Sequence, residues 1–347
     1  MAKQYLIDRD DYIRMGVSIL EQFGVSKENS LILINNFLDC DEKGIYTHGI
    51  VRLPTYLMQI KRGNLKPNPQ LKLIKNDPIV KLMDGDHGIG AVVGYCAMKQ
   101  AIKICKKYGI GVVGVRNSSH FGAAAYYTEM ASQANLIGIT FSNASPGIAP
   151  TGSKRPLLGN NPWSISAPTN KEFPITMDIA NSIVARGKIR LAAARGESIP
   201  VGWALNKYGE PTTDPKEALD DGAILPIGGH KGYGLTLMIE ILTGVLTGSG
   251  FGLQNAAVMA DGKRKNGQLF ISLDIEKFME VIEFKDRVDE LIEMIKSSPK
   301  INENEKIFLP GEIEWSRKLK LKNNRVILNK ETYDTLKELA LKYHVKF

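Results

Sequence analysis

Four of the five histidines in this chain stand in glycine-rich turns, where an imidazole can meet a bound molecule. His48 lies in Tyr46-Thr47-His48-Gly49 and His87 in Asp84-Gly85-Asp86-His87-Gly88. His120 lies in Arg116-Asn117-Ser118-Ser119-His120-Phe121-Gly122 and His230 in Gly228-Gly229-His230-Lys231-Gly232. His344, near the C-terminus, reads as merely exposed. Histidine moves protons near neutral pH, and loops between strands and helices are where function concentrates. Arg52 follows His48 by four residues, so both point from one face if helix resumes at His48. An imidazole to move a proton and a planar guanidinium to grip two oxygens would suit a 2-oxo or 2-hydroxy acid. From spacing alone, a surface ion pair is the better reading of Arg52.

Other chemistries lack their residues. No H-E-x-x-H or His/Cys cluster marks a metal, and no metal is expected. No G-x-S-x-G elbow marks a serine hydrolase. Asp84 and Asp86 are close carboxylates, but Asp-Gly-Asp is ordinary turn chemistry. Gly109-Ile-Gly111-Val-Val-Gly114 matches the dinucleotide pattern letter for letter, yet it follows a helix and lies inside a valine-rich strand. A pyrophosphate loop must instead follow a strand and open a helix. These glycines therefore read as close-packing positions.

The elements that would carry these turns show in the apolar spacing. Tyr12, Ile13, Val17, Leu20 and Phe23 predict a first helix closed by Gly24, and Ser26 caps a second. TYLMQIK reads as a short helix before a proline-spaced connector. IVKLMDGD, IGVVGV, LIGITFS, WSISAP, FPITMD and GQLFISL read as strands. Helices are predicted at VVGYCAMKQAIKICKKYG, FGAAAYYTEMASQAN, KGYGLTLMIEILTGVL and EKFMEVIEFKDRVDELIEMIKSS. In the last, Phe278, Ile282, Val288, Leu291 and Ile295 predict one apolar stripe. The chain is mixed α/β.

With 347 residues, it is roughly twice the usual domain length and can bury a large core. Three parts are expected: a helical N-terminal region over 1–75, a central sheet domain over 76–254, and a C-terminal segment over 255–347 that returns to the first. The net charge is +8, but residues 315–347 carry nine Lys or Arg against three Asp or Glu. The excess reads as a solvated tail rather than a nucleic-acid face. No run of about 18 apolar residues suggests a membrane span, and MAKQYLIDRDDY lacks the apolar core of a secretory signal. Three cysteines without Cys-x-x-Cys spacing fit a reducing, cytoplasmic setting.

Taken in order along nearly the whole chain, these motifs resemble one family strongly. They are Thr47-His48-Gly49 with Arg52, Asp84-Gly85-Asp86, Asn117-Ser118-Ser119-His120-Phe121-Gly122 and Leu158-Gly159-Asn160-Asn161-Pro162. Met177-Asp178-Ile179-Ala180, Ile199-Pro200-Val201-Gly202-Trp203, Gly229-His230-Lys231-Gly232 and Leu309-Pro310-Gly311-Glu312 continue the series. The family is the malate/L-lactate dehydrogenase family that is distinct from the Rossmann-fold lactate and malate dehydrogenases.

The resemblance implies a homodimer around an unusual, mostly antiparallel nicotinamide-binding sheet with flanking helices and a helical N-terminal region. It implies reversible hydride transfer between NAD or NADP and a small 2-oxo/2-hydroxy acid, malate/oxaloacetate or L-lactate/pyruvate first. Sulfolactate or ureidoglycolate dehydrogenase and cyclic imino-acid reductase are the alternatives. It assigns acid/base work to the position of His48 in some members and of His120 in others. Substrate contact falls to Arg52, Thr47 and Lys231. Cofactor contact falls to Asp178, Ile179 and Ala180, to His230 and Lys231, and to Gly311, Glu312 and Ile313. One departure is Ala144, where some members have a serine that touches the cofactor. No nucleic-acid or membrane partner is expected.

Overall fold

The computed structural model describes residues 5–255, 263, 265–321 and 324–346. Met1–Gln4 of the opening segment and Lys322 and Asn323 of the basic tail, both used in the sequence reading, lie outside the described residues. The chain opens with strand β1 (Tyr5–Asp8) and helices α1 (Arg9–Glu21) and α2 (Lys27–Glu42). The Asp8 carboxylate accepts from the first amides of α1, and Ser26 Oγ accepts from Asn29 N at the start of α2. A tight corner of two short 3-10 turns, Tyr46–His48 and Ile50–Arg52, leads into α3 (Leu53–Lys61). Then come β2 (Lys72–Asn76), β3 (Val80–Asp84), α4 (Gly90–Tyr108), β4 (Ile110–Ser118) and α5 (Ala125–Gln133). Strands β5 (Leu136–Ser142), β6 (Trp163–Ala167) and β7 (Ile175–Ile179) follow. A small lobe holds α6 (Arg186–Arg195), β8 (Ala204–Leu205), β9 (Pro211–Thr212), α7 (Pro215–Leu219) and β10 (Ala223–Ile224). The chain closes with α8 (His230–Glu240), β11 (Asn266–Asp274), α9 (Val281–Lys296), α10 (Glu312–Leu319), β12 (Arg325–Leu328) and α11 (Lys330–Lys342).

The main sheet has the order β2-β3-β4-β11-β5-β6-β7. Only the β3–β4 pair is parallel, so the sheet is mostly antiparallel, as expected. Strand β11 arrives late in the sequence and lies between β4 and β5. Helices α4 and α5 cover one face through Val93, Ala97, Met98, Tyr127 and Ala131, packed on Val113, Val115 and Phe270. Gly109 ends α4 in a left-handed conformation (φ 89°). A Cβ on Gly111 would overlap the Ala101 carbonyl oxygen. The false dinucleotide motif is thus a close helix–strand crossing.

A second core joins the chain's two ends. Tyr12, Leu20, Leu33, Ile34 and Phe37 pack with Val326, Leu328 and Leu336, and β12 pairs antiparallel with β1. One expectation needs correction. Helix α9 begins at Val281, because Asp274 caps a 3-10 turn over Ile275–Lys277 and the chain re-enters helix only after Glu280. Its stripe is not core: Phe278, Ile282, Leu291 and Ile295 are exposed, and Ile292 is the buried position. Among the described residues no helix is long and apolar enough to cross a membrane.

Candidate active site

A cavity of about 820 Å³ opens between the N-terminal helices and the main sheet. Its wall takes side chains from the 3-10 corner and α3, from the β4–α5 and post-β5 loops, from β7, and from Pro310–Gly311.

The corner is pinned from behind. Asp41, near the end of α2, is 1% exposed. Its Oδ2 accepts from the Tyr12 hydroxyl (2.6 Å) and from Ile50 N (3.0 Å). Gly49 is required there, since a Cβ would overlap the Asp41 carboxylate. The chain therefore turns tightly over Asp41 and presents both His48 and Arg52 to the cavity. Burial pushes the Asp41 carboxyl up to about 7 despite its two donors. His48 Nδ1 lies 3.0 Å from Thr47 Oγ1. Burial, and then the nearby Arg52 charge, pull His48 down to about 4, so its ring is neutral at neutral pH. Arg52 Nε is buried with no hydrogen-bond partner among the described residues.

The opposite wall carries His120 in the β4–α5 loop. Asn117 takes a positive φ (51°) to start the turn. Ser119 Oγ accepts from Gly90 N (2.8 Å) and donates to Gly88 O (2.9 Å), while Gln268 Nε2 donates to Ser119 O (3.1 Å). Gly122 has φ 85°, and a Cβ there would overlap the Asn36 amide. The clamped loop stacks His120 on His48, ring centroids 5.6 Å apart and planes 22° apart. The Tyr56 hydroxyl touches His120 at both Nδ1 and its carbonyl.

Asp178 on β7 accepts from Ala125 N (2.8 Å) at the N-terminus of α5. Surrounding protein raises its carboxyl to about 6, burial first and then the Glu129 charge. The Asp178 side chain is nonetheless exposed to the cavity, and solvent screening there moderates the rise. Lys43, 2% exposed, pairs with Asp39 (2.7 Å) and Glu129 (2.5 Å). Burial alone would lower Lys43, but those two carboxylates outweigh it and hold the ammonium charged. Trp315 Nε1 donates to Glu129 (2.9 Å), which ties α10 to this wall. Asn161 Oδ1 accepts from Ala144 N (3.0 Å), and its amide donates to Glu240 (2.6 Å), fixing the loop after β5.

The structure thus brings His48, His120, Arg52, Asp178, Ile179, Ala180 and Gly311 to one cavity. It places other expected residues outside the wall. Thr47 is exposed, with its hydroxyl on His48. His230 and Lys231 are exposed at the start of α8; their loop hangs on the main chain of Asn181 through Ile227 N (2.8 Å), one residue beyond Ala180. Glu312 bonds Lys296 and Leu309 N, and Ile313 is partly exposed. The sequence reading missed Asp41, Tyr56 and the Lys43–Glu129 pair. Tyr56 had a signal, four residues beyond Arg52 and eight beyond His48 on helical spacing.

A cavity of this volume, lined by two histidines, by an arginine whose buried Nε has no partner among the described residues, and by Ala123, Ala124, Ala144, Ala180 and Gly311, has room for a flat cofactor ring against a small acid. Such a site on a mostly antiparallel sheet defines a non-Rossmann dehydrogenase of small hydroxy acids. The comparisons agree. The pattern of the malate/L-lactate dehydrogenase family matches residues 7–337, and the chain belongs to that family. It is 44% identical over 325 residues to L-sulfolactate dehydrogenase of Methanocaldococcus jannaschii, covering 93% of each chain. It is 39% identical over 353 residues to malate dehydrogenase of Pyrococcus abyssi, covering 98% of this chain and 95% of that one. The crystal structure of malate dehydrogenase from Entamoeba histolytica superposes with a TM-score of 0.94 at 32% identity, covering 99% of both chains. The chain is a 2-hydroxy acid dehydrogenase of a family that uses nicotinamide cofactors.

Proposed function

We propose that the chain interconverts oxaloacetate and malate with NADH or NADPH. The observation that carries the substrate class is Arg52, whose buried Nε lacks a partner among the described residues while its side chain lines the cavity with both histidines. Among the described lining residues Lys43 is the other permanent cation, and it is tied to Asp39 and Glu129. A substrate carboxylate therefore goes to Arg52. When bound, a nicotinamide would contribute hydride-transfer chemistry at C2. The residues that would hold it are the Asp178–Ala180 edge, Gly311 and the small residues Gly122–Ala125. His120 gives the C2 oxygen its proton. His48, neutral at working pH, donates a hydrogen bond to the same oxygen as negative charge gathers there. Sulfopyruvate reduction is the second reading, favoured by the 44% identity to the L-sulfolactate enzyme. L-lactate/pyruvate stands third.

The working unit is proposed to be a homodimer. Support comes from the exposed face of α8 and the turn after it, where Leu235, Met238, Ile241 and Val245 recur at helical spacing.

The test follows nicotinamide absorbance with NADH and NADPH, each against oxaloacetate, sulfopyruvate and pyruvate. His48→Ala and His120→Ala run beside the wild type. Turnover of oxaloacetate is expected, with kcat reduced roughly 10²–10⁴-fold by His120→Ala. Turnover of pyruvate or sulfopyruvate without turnover of oxaloacetate would overturn the malate reading.

A further inference from the structure

Tyr56 is 3% exposed, and its ring stands edge-on to Phe37 (centroids 5.4 Å, planes 79° apart) and to His120 (6.1 Å, 72°). Its hydroxyl is therefore fixed in place. The hydroxyl oxygen lies 2.8 Å from His120 Nδ1 and 2.9 Å from the carbonyl oxygen of the same residue. A phenol has one proton, and a carbonyl oxygen can only accept. Both bonds form together only when the hydroxyl donates to the carbonyl and Nδ1–H donates to the phenol oxygen. The Gly122 amide also approaches Nδ1, at 3.4 Å, a contact at the far limit of a hydrogen bond and too weak to reverse that choice.

We propose that Tyr56 is a positioning residue that holds His120 in its Nδ1–H tautomer, so that Nε2 is the atom that exchanges the substrate proton. The inference rests on the reading above, in which His120 is the proton carrier. It adds a reason why the exchange needs no rearrangement. In reduction, the Nε2 proton passes to the C2 oxygen as C2 gains the hydride. The neutral ring left behind still carries Nδ1–H, and a solvent proton later restores Nε2–H. Tyr56 accepts from Nδ1 in both states and donates to the carbonyl in both. In the opposite tautomer the phenol would have to leave the carbonyl and turn at every protonation. A dipole that stays put through the proton transfer adds no reorganisation to the barrier.

The experiment is histidine-selective ¹⁵N NMR of the full chain above the titration range of the ring, with His120 assigned by its loss in His120→Gln. The expected wild-type spectrum shows Nδ1 protonated and Nε2 bare. In Tyr56→Phe the two nitrogens should move toward averaged shifts. There kcat should fall roughly ten- to hundred-fold with KM changed little, and the pH profile should move. A wild-type ring protonated at Nε2, or a Tyr56→Phe enzyme with wild-type kcat and pH profile, overturns the proposal. The ring spectrum needs no substrate, so it decides the tautomer even if the substrate named above proves wrong.

Discussion

Arg52 concentrates the site's recognition in one side chain. It is held at the end of a 3-10 turn and offers a planar fork. Arg52→Lys keeps the charge and loses the fork, so kcat/KM should fall by roughly 10²–10³, about what a lost bidentate charge pair costs. Steady-state rates with wild-type KM for the 2-oxo acid would show that the carboxylate is held elsewhere. At this scale the sequence was informative where residue type and turn coincide: His48, His120 and Arg52 could be picked out as candidates from the turns around them. Asp41 could not, and Tyr56 showed only its helical spacing from Arg52 and His48. A tyrosine or aspartate on a helix carries no mark of its task until the fold brings a partner to it, and His120 lies 64 positions from Tyr56.

Among the elements, the 3-10 corner depends on a buried carboxyl. Asp41 has an ordinary value of 3.8 when unfolded and about 7 when folded, so the native state holds its proton more tightly. Its contribution is then fully present below about pH 4 and is lost as pH rises through about 7. Asp41→Asn keeps an acceptor for Tyr12 and Ile50 N and removes the titration. The stability of the variant relative to the wild type should therefore rise between pH 5 and pH 8, by up to a few kcal/mol. Urea midpoints at the two pH values measure it, and an equal difference at both would show that Asp41 does not titrate there. Helices announced themselves through Ser26 and Gly109, whose capping chemistry is local. Strands β8, β9 and β10 have two residues each, too short for any alternation to show. The apolar residues of α9 followed helical spacing yet face outward, because spacing finds a face and does not say what covers it.

For the molecule as a whole, the mostly antiparallel sheet came from family likeness, since strand order depends on partners far apart in sequence. The exposed α8 face makes a further prediction. Sedimentation at micromolar concentration should show a dimer, and the Met238→Asp, Val245→Asp double variant should weaken it by roughly two orders of magnitude. A monomeric wild type would remove the dimer from the proposal.

The position of β11 also bears on how the chain is made. Strands β4 and β5 are synthesised close together, yet neither can pair with the other in the finished sheet. They must keep a slot open until Asn266–Asp274 leave the ribosome. During that wait two apolar strands present bare edges, the condition under which chains stick to one another. Pro310 and Gly311, which close the cavity, come later still. A nascent chain of this enzyme should thus be inactive and dependent on a chaperone until Pro310 and Gly311 have been made, and fragments ending before Asn266 should be recovered as aggregates.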